Sequence, residues 1–423
     1  MATVPASASA TLLSSPPLAA TAPEPRYASA LASLTVLFFM MGFITCLNDI
    51  LIPFLKAIFS LSYTQANLIN FCFFGAYFLV SIPAGWVVQR LGYQGGMLLG
   101  FPVAAVGCFL FYPAAEQRSY ALFLGALLVL ASGIVLLQVA ANAYVSILGP
   151  PRSAPVRLTL TQAFNSLGTT IAPLLGAALI LANLPNLDAP LAAQAIDVQA
   201  IQVPYLGIGA VLLAISLVLL LLKLPRIEHA ATAGPASFQA EQYRYLLPGI
   251  VGIFAYVGAE VAIGSHLVSY LHLPDVMNLA PQVAGAKVAY YWGGAMVGRF
   301  LGAYLLGRLN PGRLLAANAL GAVLLVLLSV NSTGELAMYS LLAVGLMNSL
   351  MFSTIFTLAL AGLGRLTEQA SGLLCTAIVG GALVPLLFGW VADHSSLRLA
   401  LGLPVLCYCY IGWYGLRGAR RLA

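Results

Sequence analysis

SYALFLGALLVLASGIVLLQVAANAYVSI, residues 119–147, continues for about eight turns of helix without one charged side chain. A barrel strand alternates polar and apolar residues over about ten positions, whereas this run is apolar on most faces and is punctuated by glycine, as helices in lipid often are. A bilayer core about 30 Å thick takes roughly 20 such residues. Similar runs recur on both sides, and twelve spans are predicted at 28–55, 65–89, 95–113, 119–147, 157–183, 203–224, 244–271, 282–308, 312–331, 335–361, 369–392 and 398–416. With 61% hydrophobic and 7% charged residues and a mean hydropathy of +0.96, the chain could not hide its apolar surface as a water-soluble domain. The predicted fold is an all-α membrane protein with lipid as its solvent.

The polar punctuation divides the chain. Residues 1–26, rich in Ala, Ser, Thr and Pro, are expected to form a disordered N-terminal tail rather than a secretory signal. The stretch 225–243 splits the spans six and six and reads as a linker between a first bundle at 27–224 and a second at 244–423 with a short basic tail. A weak repeat supports the division, because Gly75 to Arg90 and Leu91 matches Gly293 to Arg308 and Leu309 with the same spacing. Basic residues sort by side. Arg90, Arg152, Arg226, Arg308, Arg313, Arg365 and Arg417 fall in alternate turns, and the opposite turns hold only Lys56, Arg118 and Arg398. Basic turns stay cytoplasmic, so both termini are expected there. Topology also accounts for the formal charge of +6, so no nucleic-acid partner is needed to explain it. The six cysteines all fall in apolar spans, where packing is their expected role.

A carboxylate at mid-span costs on the order of 2.5–3.5 kcal/mol on insertion scales, which makes such an acid a functional candidate. Asp49 and Glu260 are the two acids in this position. On the first span Thr45, Asn48 and Asp49 share a face by their spacing. Burial disfavours the charge on Asp49, so it is expected to exchange a proton as a cavity opens to alternate sides. Gln138 and Asn142 lie one turn apart on the fourth span, and Gln162, Asn165, Ser166 and Thr169 form a stripe on the fifth. Carboxamides offer donors and acceptors without net charge, matching the hydroxyls of a sugar; glue between helices is their alternative role. In the second half the candidates are Glu260, Lys287, Arg299 and Asn348, with Tyr256, Tyr290, Tyr291, Trp292 and Phe352 nearby in sequence. Lys287 either snorkels to the outer interface or pairs with Glu260. Arg299 lies deeper and is expected to close an ion pair or a helix C-terminus, and His266 to be packed or bonded.

The four histidines are not at metal-ligand spacing with acids, and neither a nucleophile-base set nor a nucleotide-binding motif appears. An enzyme and a primary pump are therefore disfavoured. Ion-gradient coupling or passive diffusion remains, with sodium coupling, export of another neutral solute and a non-transporting receptor as alternatives.

GFITCLNDILIP at 42–53, FCFFGAYF at 71–78, QVAANAYV at 138–145 and QAFNSLGTT at 162–170 resemble the fucose-galactose-glucose:proton symporter family of the major facilitator superfamily. YVGAEVAIGS at 256–265, YYWGGAMVGRF at 290–300 and AIVGGALVP at 377–385 carry the resemblance into the second half. It implies two pseudo-symmetric six-helix bundles with the substrate between them, acting as a monomer that takes up glucose or galactose, with fucose as a further candidate, together with a co-transported proton or sodium and no bound cofactor. It also implies that Asp49, with Glu260 as a second candidate, couples the cation. Thr45, Asn48, Asn70, Gln138, Asn142, Gln162, Asn165, Lys287, Tyr291 and Asn348 are its expected substrate-binding positions. Arg90, Arg308 and Arg299 are expected to serve gating or structure. The amide at Gln138, where the fucose permease is acidic, places the chain nearer the glucose/galactose branch. Ala143 and Ser353 replace family prolines, Phe54 stands where a histidine is frequent, and Asn70 where a glutamine is frequent. Loss of two prolines is expected to stiffen the fourth and tenth spans.

Overall fold

A computed structural model describes residues 30–45, 63–179, 199–222, 224 and 240–419. The first helix, α1 (Ala30–Thr45), precedes α2 (Tyr63–Glu116), α3 (Tyr120–Ile147), α4 (Ala154–Leu179) and α5 (Gln199–Leu221). The second half contains α6 (Ala240–Leu271), α7 (Pro281–Leu306), α8 (Pro311–Val330), α9 (Gly334–Asn348), α10 (Met351–Leu360), α11 (Thr367–Thr376), α12 (Gly380–His394), α13 (Leu397–Ala400) and α14 (Gly402–Ala419). Helix α2 is two spans in one, with Gly92 at φ 74°, ψ 171° turning the chain between them. That backbone region is open in practice to glycine alone. Counting α2 twice, α9 with α10, α11 with α12, and α13 with α14 gives twelve spans among the described residues, close to the predicted boundaries. The expected tail at 1–26 and most of the linker at 225–243 lie outside the described residues.

Local chemistry sets the helix ends. Ser119 Oγ accepts from the Leu122 N–H at 3.4 Å to open α3, and Asn310 Oδ1 accepts from the Arg313 N–H at 3.1 Å ahead of Pro311 to open α8. Apolar residues such as Phe78, Trp86, Leu220, Leu221, Leu386 and Leu406 are exposed on the outside of the bundle, as a lipid-facing belt requires.

Glycine brings backbones together at corresponding places in the two halves. A methyl group on Gly168 of α4 would overlap the Phe39 carbonyl of α1, and one on Gly380 of α12 would overlap the Phe254 carbonyl of α6. Small residues permit such close crossings in membranes. Between the halves α4 packs on α7, and α2 on α11. The described hydrogen bonds between halves lie from the arginine-rich end to mid-depth. At that end Gln369 Nε2 donates to Gln89 Oε1 at 2.9 Å and Ser371 Oγ to the Val139 carbonyl at 2.7 Å. Thr159 and Ser353 join their hydroxyls at 2.5 Å, and at mid-depth Thr170 Oγ1 approaches Met296 Sδ at 3.5 Å.

Helix α3 continues unbroken through Ala143, as loss of a proline predicts. The tenth span is not stiffened in the same way. It breaks at Ser349–Leu350, between α9 and α10, without a proline. Neighbouring side chains satisfy carbonyls at the break. Arg299 Nε donates to Ser349 O at 3.3 Å and Asn318 Nδ2 to Met347 O at 3.0 Å, as broken helices in membranes require.

Candidate functional site

Gln138 and Asn142 stand on α3, and Gln162 and Asn165 on α4. Gln138 Nε2 donates to the Tyr77 hydroxyl of α2 at 3.0 Å. One turn further along α3, the fully buried Asn142 accepts at Oδ1 from Gln162 Nε2 of α4 at 3.4 Å, and its own Nδ2 makes no hydrogen bond. Asn165 Nδ2 donates to the Phe38 carbonyl of α1 at 2.9 Å, which locks α4 at the glycine crossing. Thr45 is half-buried and donates to its own helix at Met41 O, 2.8 Å. Asn48, Asp49 and the Asn70 side chain lie outside the described residues.

Four helices of the second half converge on Glu260, which is 9% exposed near the middle of α6. Arg299 of α7 places a guanidinium nitrogen 3.9 Å from Glu260 Oε1. Tyr291 donates its hydroxyl to the Glu260 carbonyl at 3.1 Å and accepts from Asn348 Nδ2 of α9 at 2.8 Å. Beneath them lie the Tyr256 and Tyr408 rings, both buried, and Tyr256 meets Phe352 with ring centroids 6.3 Å apart.

The expected Glu260–Lys287 pair is replaced by Glu260–Arg299. Lys287 lies about 18 Å from Arg299 toward the N-terminal end of α7, at 1.5 Å per residue. Its ammonium lies 5.3 Å from the Tyr290 ring centroid, which fits the snorkelling role. Tyr290 is 62% exposed and points away from the buried Tyr291. Arg90 is exposed, and Arg308 lies over Tyr304 of its own helix at 4.4 Å. The described contacts that close the arginine-rich end come from Gln89, Gln369 and Ser371 instead. His266 Nδ1 donates to the Ala262 carbonyl at 2.9 Å, and the ring stacks on Phe388.

Tyr77, Ser349, Tyr408 and the Thr159–Ser353 pair were not predicted as site partners. Tyr77 meets Gln138 across 61 positions, and helical spacing has no reach over that distance. The arrangement offers uncharged donors and acceptors on one half and a buried ion pair with tyrosines on the other. Among the described residues no group of His, Cys, Asp and Glu could hold a metal ion.

Two six-helix bundles in contact through polar side chains define a helical membrane transport fold. The chain belongs to the Major Facilitator Superfamily, whose family model matches residues 32–384. It is 54% identical over 402 residues to a glucose/galactose transporter of Brucella abortus, spanning 95% of this chain and 96% of that protein. It is 35% identical over 407 residues to the L-fucose-proton symporter of Escherichia coli, covering 91% and 92%. The crystal structure of the transporter FucP in the outward conformation superimposes with a TM-score of 0.86 at 33% identity, over 93% of this chain and 99% of FucP.

Proposed function

We propose that this protein imports hexoses, glucose and galactose foremost, by alternating access coupled to a proton gradient. Two neighbouring amide pairs, Gln138 with Tyr77 and Gln162 with Asn142, carry this reading, because on three helices they present hydrogen bonds to sugar hydroxyls with no charge to desolvate. The likeness to glucose/galactose transporters over nearly the whole chain supports it.

In this reading Asn48, Gln138, Asn142, Gln162 and Asn165 hold the sugar from the first half, with Thr45 and Asn70 beside them. Asn348 and Tyr291 face it from the second, and Lys287 offers hydrogen-bond donors to the sugar at the outer mouth. Asp49 carries the coupling proton, with Glu260 as a second acid. The arginine-rich end is cytoplasmic, in a bacterial inner membrane, and its closure leaves the site open outward. The bundles span 27–224 and 244–423, joined by the linker, and work as a monomer. Counterflow in proteoliposomes tests the reading. Labelled glucose should exchange with internal galactose, and Gln162→Ala should weaken that exchange. Failure of every hexose to exchange would overturn it.

A further inference from the structure

The carboxylate and guanidinium in the middle of the second half are not a closed pair. Their 3.9 Å separation is about 1 Å longer than a charge-assisted hydrogen bond, and Glu260 Oε1 makes no hydrogen bond although it is buried. Arg299 spends two of its three nitrogens elsewhere. Its Nε reaches the Ser349 carbonyl at the break of the tenth span, and its terminal nitrogen contacts Ser166 Oγ on α4, in the opposite half. Ser166 passes its own proton to Gln162 O at 3.2 Å, one turn back on the amide-bearing helix. A single side chain therefore connects the buried acid, the break of the tenth span and the substrate helix of the other half.

We propose that Arg299 is a positioning residue that trades partners between the two states. With the arginine-rich end closed it is held by Ser166, and Glu260 is left short of a hydrogen bond. When the halves part at that end, α4 and α7 separate and the guanidinium loses Ser166. It then closes on Glu260, so the ion pair forms fully only in the state open at the arginine-rich end. An intramembrane carboxylate has a large stake in that closure, because leaving one of its oxygens without a hydrogen bond at this depth is costly. Ser166 and Glu260 thus compete for one cation and bias the same equilibrium in opposite directions. This inference rests on the alternating-access reading but not on the identity of the sugar.

Spin labels at Leu91 and Leu309, exposed at matching ends of their spans, report the opening as a distance distribution, in a background with the six native cysteines replaced by serine. Ser166→Ala is expected to raise the population open at the arginine-rich end about tenfold, equal to about 1.4 kcal/mol. Adding Glu260→Gln is expected to return it to the wild-type level, and Ser166→Thr, which keeps the hydroxyl, to leave it unchanged. A static structural pair predicts no shift in any of these variants, and two results would overturn the proposal. One is a distribution that Ser166→Ala does not move; the other is a Glu260→Gln change that opens the protein further. These distances are read without sugar, so failure of the hexose reading would appear separately, as absent exchange with the distance shifts intact.

Discussion

Gly168→Ala measures how tightly the site depends on one backbone crossing. A methyl group there would overlap the Phe39 carbonyl oxygen and stand 2.9 Å from the Phe43 nitrogen and 3.1 Å from the Phe39 carbonyl carbon. These are backbone atoms that no rotamer can move, so α1 must retreat from α4 by about 1 Å to restore ordinary contact. The same retreat stretches the Asn165–Phe38 hydrogen bond from 2.9 Å to beyond hydrogen-bond length. Overpacking costs about 1–3 kcal/mol and the lost bond about 1 kcal/mol more. If about 1.4 kcal/mol of that enters the transport barrier, exchange falls about tenfold. Sugar exchange in proteoliposomes and the thermal unfolding midpoint in detergent are the assays. Both should drop for Gly168→Ala and stay at wild type for Gly75→Ala, whose added methyl meets nothing within 4 Å. Wild-type exchange and melting in Gly168→Ala would refute the claim that this crossing sets the position of Asn165.

Gly380→Ala should repeat the effect in the second half, through the Phe254 carbonyl, and is read by the same melting and exchange assays. Gly92→Ala should lower the melting temperature by a backbone cost alone, about 1–3 kcal/mol, since space is open around it. Gln162→Ala should raise the sugar KM about tenfold with a smaller change in maximal rate, the signature of lost ground-state binding, checked by initial-rate uptake over a range of sugar concentrations. Lys287→Ala should leave uptake within about threefold, because its ring contact is worth only about 0.5–1 kcal/mol at an exposed position.

The twelve spans were legible because lipid enforces one rule on every segment. Runs such as 119–147 must satisfy their backbone internally, and only a helix does so without a partner. The division into halves was visible in the polar stretch at 225–243 and in the Gly75–Arg90 and Gly293–Arg308 match. Partners between helices were not visible. Glu260 stood out as an intramembrane acid, yet nothing in the sequence distinguishes Lys287 from Arg299 as its counter-charge until α6 and α7 are set side by side. Ser353 invited the expectation of a straighter tenth span, and the break occurs all the same. Helix continuity there is decided by what Arg299 and Asn318 offer the freed carbonyls, a tertiary matter that local propensity does not encode. Tyr77 and Tyr408 resembled the many other aromatic residues of the spans, and only packing gave each of them its neighbours.

Proton-driven uptake of labelled glucose and galactose into proteoliposomes, compared between the wild type and Asp49→Asn, bears most directly on the proposed coupled hexose transport. The account predicts accumulation under an imposed proton gradient in the wild type, with accumulation lost and exchange retained in Asp49→Asn. Accumulation that follows a sodium gradient at fixed pH, or a wild type that accumulates neither sugar, would contradict it.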